Sequence, residues 1–239
     1  MRKLGLGLLL VCPLLAPSNA TAAELTWKGM GLNDIVTVNA TSGGDTVSGS
    51  YYAGQILWDW VAPVPSGFEE SIVSYCVDVL QDITDPQTVA ISTTADPLME
   101  TAATNGGGKA AWLLNQFAST VTTGVQAAAL QVAIWEAVAD DSHNLDTGSF
   151  TLVHSDAAYT GAAQATLIYD QANYYLSQLF YGAQGQYNTS VARWLDATSA
   201  TGGGQDQITT PEPSSLLLIA LGGVVARMRG RRRPARISA

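Results

Sequence analysis

The sequence predicts an α+β fold, a mainly antiparallel β sheet or barrel packed beside a small helical subdomain. Three observations predict it. Runs of β-branched and aromatic residues, bounded by Gly, Pro, Asn and Asp, fill the chain up to Ser92. From Thr101 the composition turns alanine-rich, with helical spacing. Strands and helices scarcely alternate, which disfavours a parallel βαβ sheet.

Ile35-Val36-Thr37-Val38 and Thr46 to Tyr52 read as strands, with Ser42-Gly43-Gly44-Asp45 as the hairpin turn between them. Gln55 to Val61 reads as another strand, broken by Pro63-Val64-Pro65-Ser66-Gly67. Ser71 to Leu80 follows. By period two, Val73, Tyr75, Val77 and Val79 form an apolar stripe, and Ile72, Ser74, Cys76 and Asp78 occupy the other face. Gln87 to Ser92 reads as a further strand. A helix is expected from Lys109 to Phe117, after Gly106-Gly107-Gly108. A second, from Val125 to Ala139, is apolar nearly all round and therefore buried. His143 to Phe150 is a loop, Phe150 to Val153 a short strand, and Ala157 to Tyr181 a third helix. Ser199 to Gln205, rich in Gly and Thr, reads as flexible spacer.

The two ends read as addresses. Arg2 and Lys3 precede an apolar core from Leu4 to Leu15 and small residues at Ser18-Asn19-Ala20 and Thr21-Ala22-Ala23, the pattern of a secretory leader over residues 1–23. The core is too short for a spanning helix, which needs about 20 apolar residues. Near the other end, Pro211-Glu212-Pro213 precedes an apolar run from Leu216 to Ala226 and six arginines. This tail, residues 211–239, resembles the PEP-CTERM sorting signal. The resemblance implies an exported protein of a Gram-negative bacterium, processed by an exosortase. It also implies only transient membrane contact through the tail, and a destination at the cell surface or in the extracellular matrix. The expected organisation is leader 1–23, domain 24–198, spacer 199–210 and sorting tail 211–239.

Removing the ends changes the charge. Eight of the eleven basic residues lie in them, leaving Lys28, Lys109 and Arg193 against the twenty acidic residues between Glu24 and Glu212, a balance of −17. Such a body repels nucleic acid and anionic membrane. Clustered ligands for a metal are not evident: one cysteine outside the leader and two separated histidines make no set, and no Asp-x-Asp-x-Asp-Gly loop is present. Gly106-Gly107-Gly108-Lys109 lacks the spacing of a phosphate loop. No cofactor is expected.

With Cys12 inside the leader, Cys76 stands alone in an exported body and has no internal disulfide partner. It sits in Ser74-Tyr75-Cys76-Val77-Asp78. Fifty-five residues later comes Leu130-Gln131-Val132-Ala133-Ile134-Trp135. Together these resemble the Cys–Gln thioester domains of bacterial surface adhesins, whose marks are a Tyr-Cys strand and a Thr-Gln-x-Ala-Ile-Trp helix; Leu130 stands where the family has Thr. The resemblance covers about Tyr51 to Phe180. It implies a thioester between Cys76 and Gln131 lying between sheet and helices, and covalent capture of an amine-bearing surface or matrix partner. Such capture happens once per molecule, so the chain is not expected to be an enzyme. As a crosslink it would close a 55-residue loop, a stabilisation of roughly 4 kcal/mol by analogy with a disulfide.

Trp135, one helical turn from Gln131, is a candidate shield against water, with core packing as its ordinary role. Asp78 and Glu136 are candidate activating carboxylates, more often solvating groups. His143 and His154 are candidate bases, more often solvated bystanders. Two other readings stand beside adhesion. One is a passive exopolysaccharide or biofilm-matrix protein in which Cys76 and Gln131 never join. The other is a cysteine hydrolase using Cys76 with His143 or His154, although no Gly-rich nucleophile turn surrounds Cys76.

Overall fold

Strand β1, Ala22–Ser42, runs through the whole sheet. The computed structural model describes residues 22–42, 45–92, 103, 105–153, 161–182, 192–197 and 204–210. The leader up to Thr21, His154 and the tail from Pro211 lie outside the described residues. After β1 come β2 (Asp45–Trp60), β3 (Ser71–Cys76), β4 (Gln87–Ser92), α1 (Gly106–Phe117), α2 (Gly124–Ala139), β5 (Phe150–Leu152), α3 (Ala162–Gly182), β6 (Arg193–Asp196) and β7 (Gln207–Thr209). The predicted α+β class holds.

All pairings are antiparallel. The order β2-β3-β7-β6-β4-β1-β5, with β2 also pairing β1, closes β1-β2-β3-β7-β6-β4 into a barrel and leaves β5 on the far end of β1. Closure is possible because β1 is long enough to serve both sides. Its start, Ala22 to Leu25, pairs with β4, and from Leu25 to Ser42 it pairs with β2. The closed ring itself has no edge, whereas β5 and residues 45–55 of β2 pair only with β1 among the described residues.

The Thr46–Tyr52 and Gln55–Trp60 stretches are one strand rather than two. The register slips between Met30 and Asn33, opposite Gly54. Gly54 has φ +139°, and a Cβ there would lie 2.4 Å from the Leu32 carbonyl oxygen, so glycine carries the chain through the bulge. Gly124, at the start of α2, approaches the same bend: a Cβ there would lie 2.4 Å from the Asn33 carbonyl oxygen. Two glycines thus let helix and sheet meet at Asn33.

The predicted strand 71–80 ends early, at Cys76. Asp78 Oδ1 accepts the Leu80 N–H at 2.9 Å, a local side-chain turn that competes with the ladder. Both faces of the segment are buried at its centre: Ile72, Ser74 and Cys76 on the face assigned to polar residues, and Tyr75 and Val77 on the apolar stripe, with Val73, Asp78 and Val79 half-buried. Burial of Ser74 is possible because its partners are inside with it. The Trp58 indole N–H donates to Gln207 Oε1 at 2.7 Å and to Ser74 Oγ at 3.1 Å, and the Ser74 hydroxyl donates to the same Gln207 oxygen. Buried polar groups survive when they are bonded to one another.

Residues 199–210, expected as spacer, are corrected at their end. β7 sits between β3 and β6, with Cys76 opposite Gln207 and Trp194 opposite Ile208. Three- and four-residue strands carry too little periodicity to be read alone; their pairing is supplied by the neighbours. The helices cover one side of the barrel. α2 packs on β1 and β2 and is flanked by α1 and α3, which is why Ala127 to Val138 are all buried. Thr123 caps it, its hydroxyl oxygen accepting the Gln126 N–H. Among the described residues no helix is long and apolar enough to cross a membrane.

Because β7 completes the ring, a chain ending at residue 198 should lose cooperative unfolding, and one ending at residue 210 should keep it. Chemical denaturation followed by tryptophan fluorescence checks this. A two-state transition in the shorter chain would contradict the place of β7 in the fold.

Candidate functional site

Cys76 is the last residue of β3, and the ladder to β7 continues one step past it, the Val77 N–H reaching the Asp206 carbonyl at 3.0 Å. The backbone of Cys76 is thereby held on its β7 side. On the other side lies Gln131, in the middle of α2. Its carboxamide embraces the Cys76 backbone. Oε1 accepts the Cys76 N–H at 2.9 Å, and Nε2 donates to the Cys76 carbonyl at 2.6 Å. The contact spans 55 residues of sequence, so the tertiary fold brings together the two residues paired by sequence.

Trp135 completes the pocket. One turn along α2, it shares the Gln131 face, and its indole N–H donates to Cys76 Sγ at 3.3 Å. Its ring lies 6.1 Å from that of Phe150, a fully buried side chain that fixes its orientation. The thiol itself donates to the Asp78 carbonyl at 2.9 Å. Burial pushes the Cys76 thiol well above its ordinary value; the Trp135 N–H, which favours the thiolate, only partly opposes this. At rest Cys76 is a neutral thiol.

The pair lies at the base of an open cleft of about 970 Å³. Trp27, Tyr51 and Tyr52 from β1 and β2 line it. Gln81, Asp82 and Asp85 from the loop after β3 form more of its wall, with Gln205 among the lining residues, and Asp85 Oδ1 accepts the Trp27 N–H at 3.0 Å. Gln205 ties that wall down. Its Nε2 donates to the carbonyls of Gln81 at 2.8 Å and Asp78 at 3.2 Å. The sequence carried no sign of this cleft. Trp27 was outside every predicted strand, and Asp82 and Asp85 are ordinary polar loop residues until the barrel closes.

The other predicted site residues are placed differently. The Asp78 carboxylate turns to its own loop, on Leu80, and contributes to the cysteine only through its backbone carbonyl. Glu136 projects to the loop 140–149. Its Oε1 accepts from the Asn144 N–H at 2.7 Å and the Ser142 hydroxyl at 3.0 Å. Burial raises Glu136 to about 8, with the Asp140 charge adding to the effect. Asp140 is pushed up by burial, but hydrogen bonds from Ser142 and Ser149 outweigh that and hold it below its ordinary value. Burial and the neighbouring Asp140 charge thus favour the neutral form of Glu136. His143 lies in the same loop, half-buried, and burial and the Lys109 charge lower its pKa. It is not among the residues that line the cleft. His154 lies outside the described residues. Among the described residues no cluster of three His, Cys, Asp or Glu is arranged to hold a metal ion.

Residues 209–233 match the PEP-CTERM protein-sorting motif. The match includes Pro211, Glu212 and Pro213, and it marks an exported, cell-surface-associated protein sorted by an exosortase. Its first residue, Thr209, is the last of β7. No curated protein and no solved structure matches the chain.

Two outcomes follow from these contacts. Gln131→Leu strands the Cys76 N–H and C=O in the interior, and should destabilise the fold by about 2–5 kcal/mol, read from the urea midpoint. Glu136 gives a pH signature. From its ordinary value of 4.5 up to about 8, the folded chain holds a proton that the unfolded chain has released. Stability should therefore fall as pH rises through that window, the penalty being absent below it and complete above it. Glu136→Gln, which mimics the neutral acid, should flatten that slope in melts at stepped pH.

Proposed function

We propose that this exported protein forms an internal thioester between Cys76 Sγ and Gln131 Cδ and uses it to capture an amine-bearing partner covalently at the cell surface. The observation that carries the reading is the seating of the Gln131 carboxamide on the Cys76 backbone, with the Trp135 N–H on the sulfur, at the base of a cleft open to partners. Immobilising two reacting groups in one site supplies much of what an unreactive amide needs, about 7–11 kcal/mol at best.

The steps balance. The Cys76 sulfur leaves the Asp78 carbonyl and attacks Gln131 Cδ. The C–N bond breaks, and the thiol proton departs with the nitrogen as ammonia. The Cys76 N–H donated to Oε1 polarises the carboxamide carbonyl, and with the bond from Nε2 to the Cys76 carbonyl it fixes the amide plane. Trp135 and Phe150 keep water from the acyl bond. An incoming amine then attacks the same carbon, the C–S bond breaks, and the sulfur regains a proton. The partner ends as an amide on Gln131. Each molecule reacts once, so the chain is a binding protein rather than an enzyme. The acidic body keeps it away from nucleic acid and anionic lipid, and membrane contact is confined to the sorting tail.

A specific observation favours the second reading, a passive matrix protein. The Gln131 carboxamide is already satisfied by backbone and the thiol by the Asp78 carbonyl, which suits a noncovalent staple. Intact mass decides between them. The purified protein should weigh about 17 Da less than its sequence, one ammonia, and methylamine should add its own mass. Cys76→Ala and Gln131→Ala should show neither change. A full sequence mass with a titratable thiol in unfolded protein would leave the staple reading standing.

A further inference from the structure

We infer that the open edge of β2 pairs antiparallel with the same edge of a second copy of this chain, about a two-fold axis at Gly49, giving a symmetric dimer. The inference stands on strand register and charge, and it is independent of the thioester.

The contacts between β1 and β5 decide which backbone groups of β2 are left over. The Thr41 N–H donates to the Ser149 carbonyl, and the Val153 N–H donates to the Thr37 carbonyl, both at 2.8 Å. The backbone groups of Thr37, Asn39 and Thr41 are therefore turned to β5, and those of Val36, Val38 and Ala40 to β2. Opposite these last three stand Tyr51, Gly49 and Val47. The N–H and C=O groups of Thr46, Ser48, Ser50 and Tyr52 then point away from β1, along an edge that no described strand covers. The side chains of these residues are exposed as well, Tyr52 at 64%.

The opposite edge of the same sheet is guarded. β5 is three residues long, and its outward Leu152 N–H is taken by the Leu145 carbonyl at 2.8 Å. Head-to-tail growth of β2 on β5 is disfavoured, and the matching edge for β2 is its own copy.

The β2 edge lacks the usual guards. From Asp45 to Gln55 there is no lysine, arginine or proline, and Asp45 is the sole charge. In a body with a balance of −17, acidic surface elsewhere repels a second copy. Charge also selects the direction. Parallel pairing in register sets Asp45 against Asp45. Antiparallel pairing about Gly49 sets Asp45 opposite Ala53. It brings the outward-turned residues together, Thr46 on Tyr52 and Ser48 on Ser50, so each outward N–H and C=O gains a partner. Val47 then meets Tyr51 on the other face, a β-branched and aromatic pair, and the two glycines meet at the axis.

Sedimentation equilibrium of the purified exported protein should give about twice the monomer mass at micromolar concentration. A monomer throughout, or growth beyond the dimer, overturns the inference. Ser50→Pro removes an outward N–H and no bond to β1, and should weaken association roughly tenfold or more. Ser48→Lys/Ser50→Lys and Ser48→Glu/Ser50→Glu leave the backbone ladder to β1 intact, and report even where proline unfolds the chain. Each alone should be monomeric, with its urea midpoint confirming the fold. Mixed together they should dimerise again, because the register sets position 48 against position 50. Dimers that persist in each variant alone, or a mixture that stays monomeric, overturn the edge pairing.

Discussion

One carboxamide joins the two layers of this protein. Gln131 reaches from the middle of a buried helix to the last residue of β3 and bonds both backbone groups of Cys76. The helix is otherwise apolar where it meets the barrel, and apolar contact has no direction. The amide supplies the direction. It sets which turn of α2 faces the end of β3, and so where Trp135 lies relative to the sulfur. A buried amide without partners is strongly unfavourable, and so are the two backbone groups it serves. Each needs the other, and the alternative placements of the helix are penalised accordingly.

The same economy holds inside the barrel. Trp58 and Ser74 share the Gln207 Oε1 as acceptor across β2, β3 and β7. Gln207 stands opposite Cys76, so the cysteine is braced by polar contacts from both sides, from the helix and from the closing strand. Gln205, two residues earlier, holds down the loop that walls the cleft. The C-terminal strand is therefore part of the site. Its last residue is also the first residue matched by the sorting motif.

Much was legible in the chain. The β-branched first part, the alanine-rich second part, and the nearly all-round apolar α2 each specify local structure through their own residues. The Cys76–Gln131 pairing was legible because two short motifs carried it. Less visible were β6 and β7, too short to show a period. The continuous β2 was read as two strands because Gly54 mimics a break when it is in fact a bulge. The stripe on β3 was read as its one buried face, yet Tyr75 of that stripe and Ser74 of the other face are both buried, Ser74 through its partners. Glu136 looked like a neighbour of the site because it follows Trp135, but one step along a helix turns a side chain by about 100°, and it faces the 140–149 loop instead.

By itself the sequence determined the α+β class, the acidic body, the sorting signal and the identity of the two residues at the centre. These depend on composition and near-neighbour spacing, which are properties of the chain. Only the tertiary structure decided that β1 pairs on both sides to close a barrel, that Gln131 grips the Cys76 backbone, and that Trp27, Tyr52, Asp82 and Asp85 share one cleft. Those facts depend on contacts between residues tens of positions apart. They exist only once the ring has closed and the helix has been seated on it.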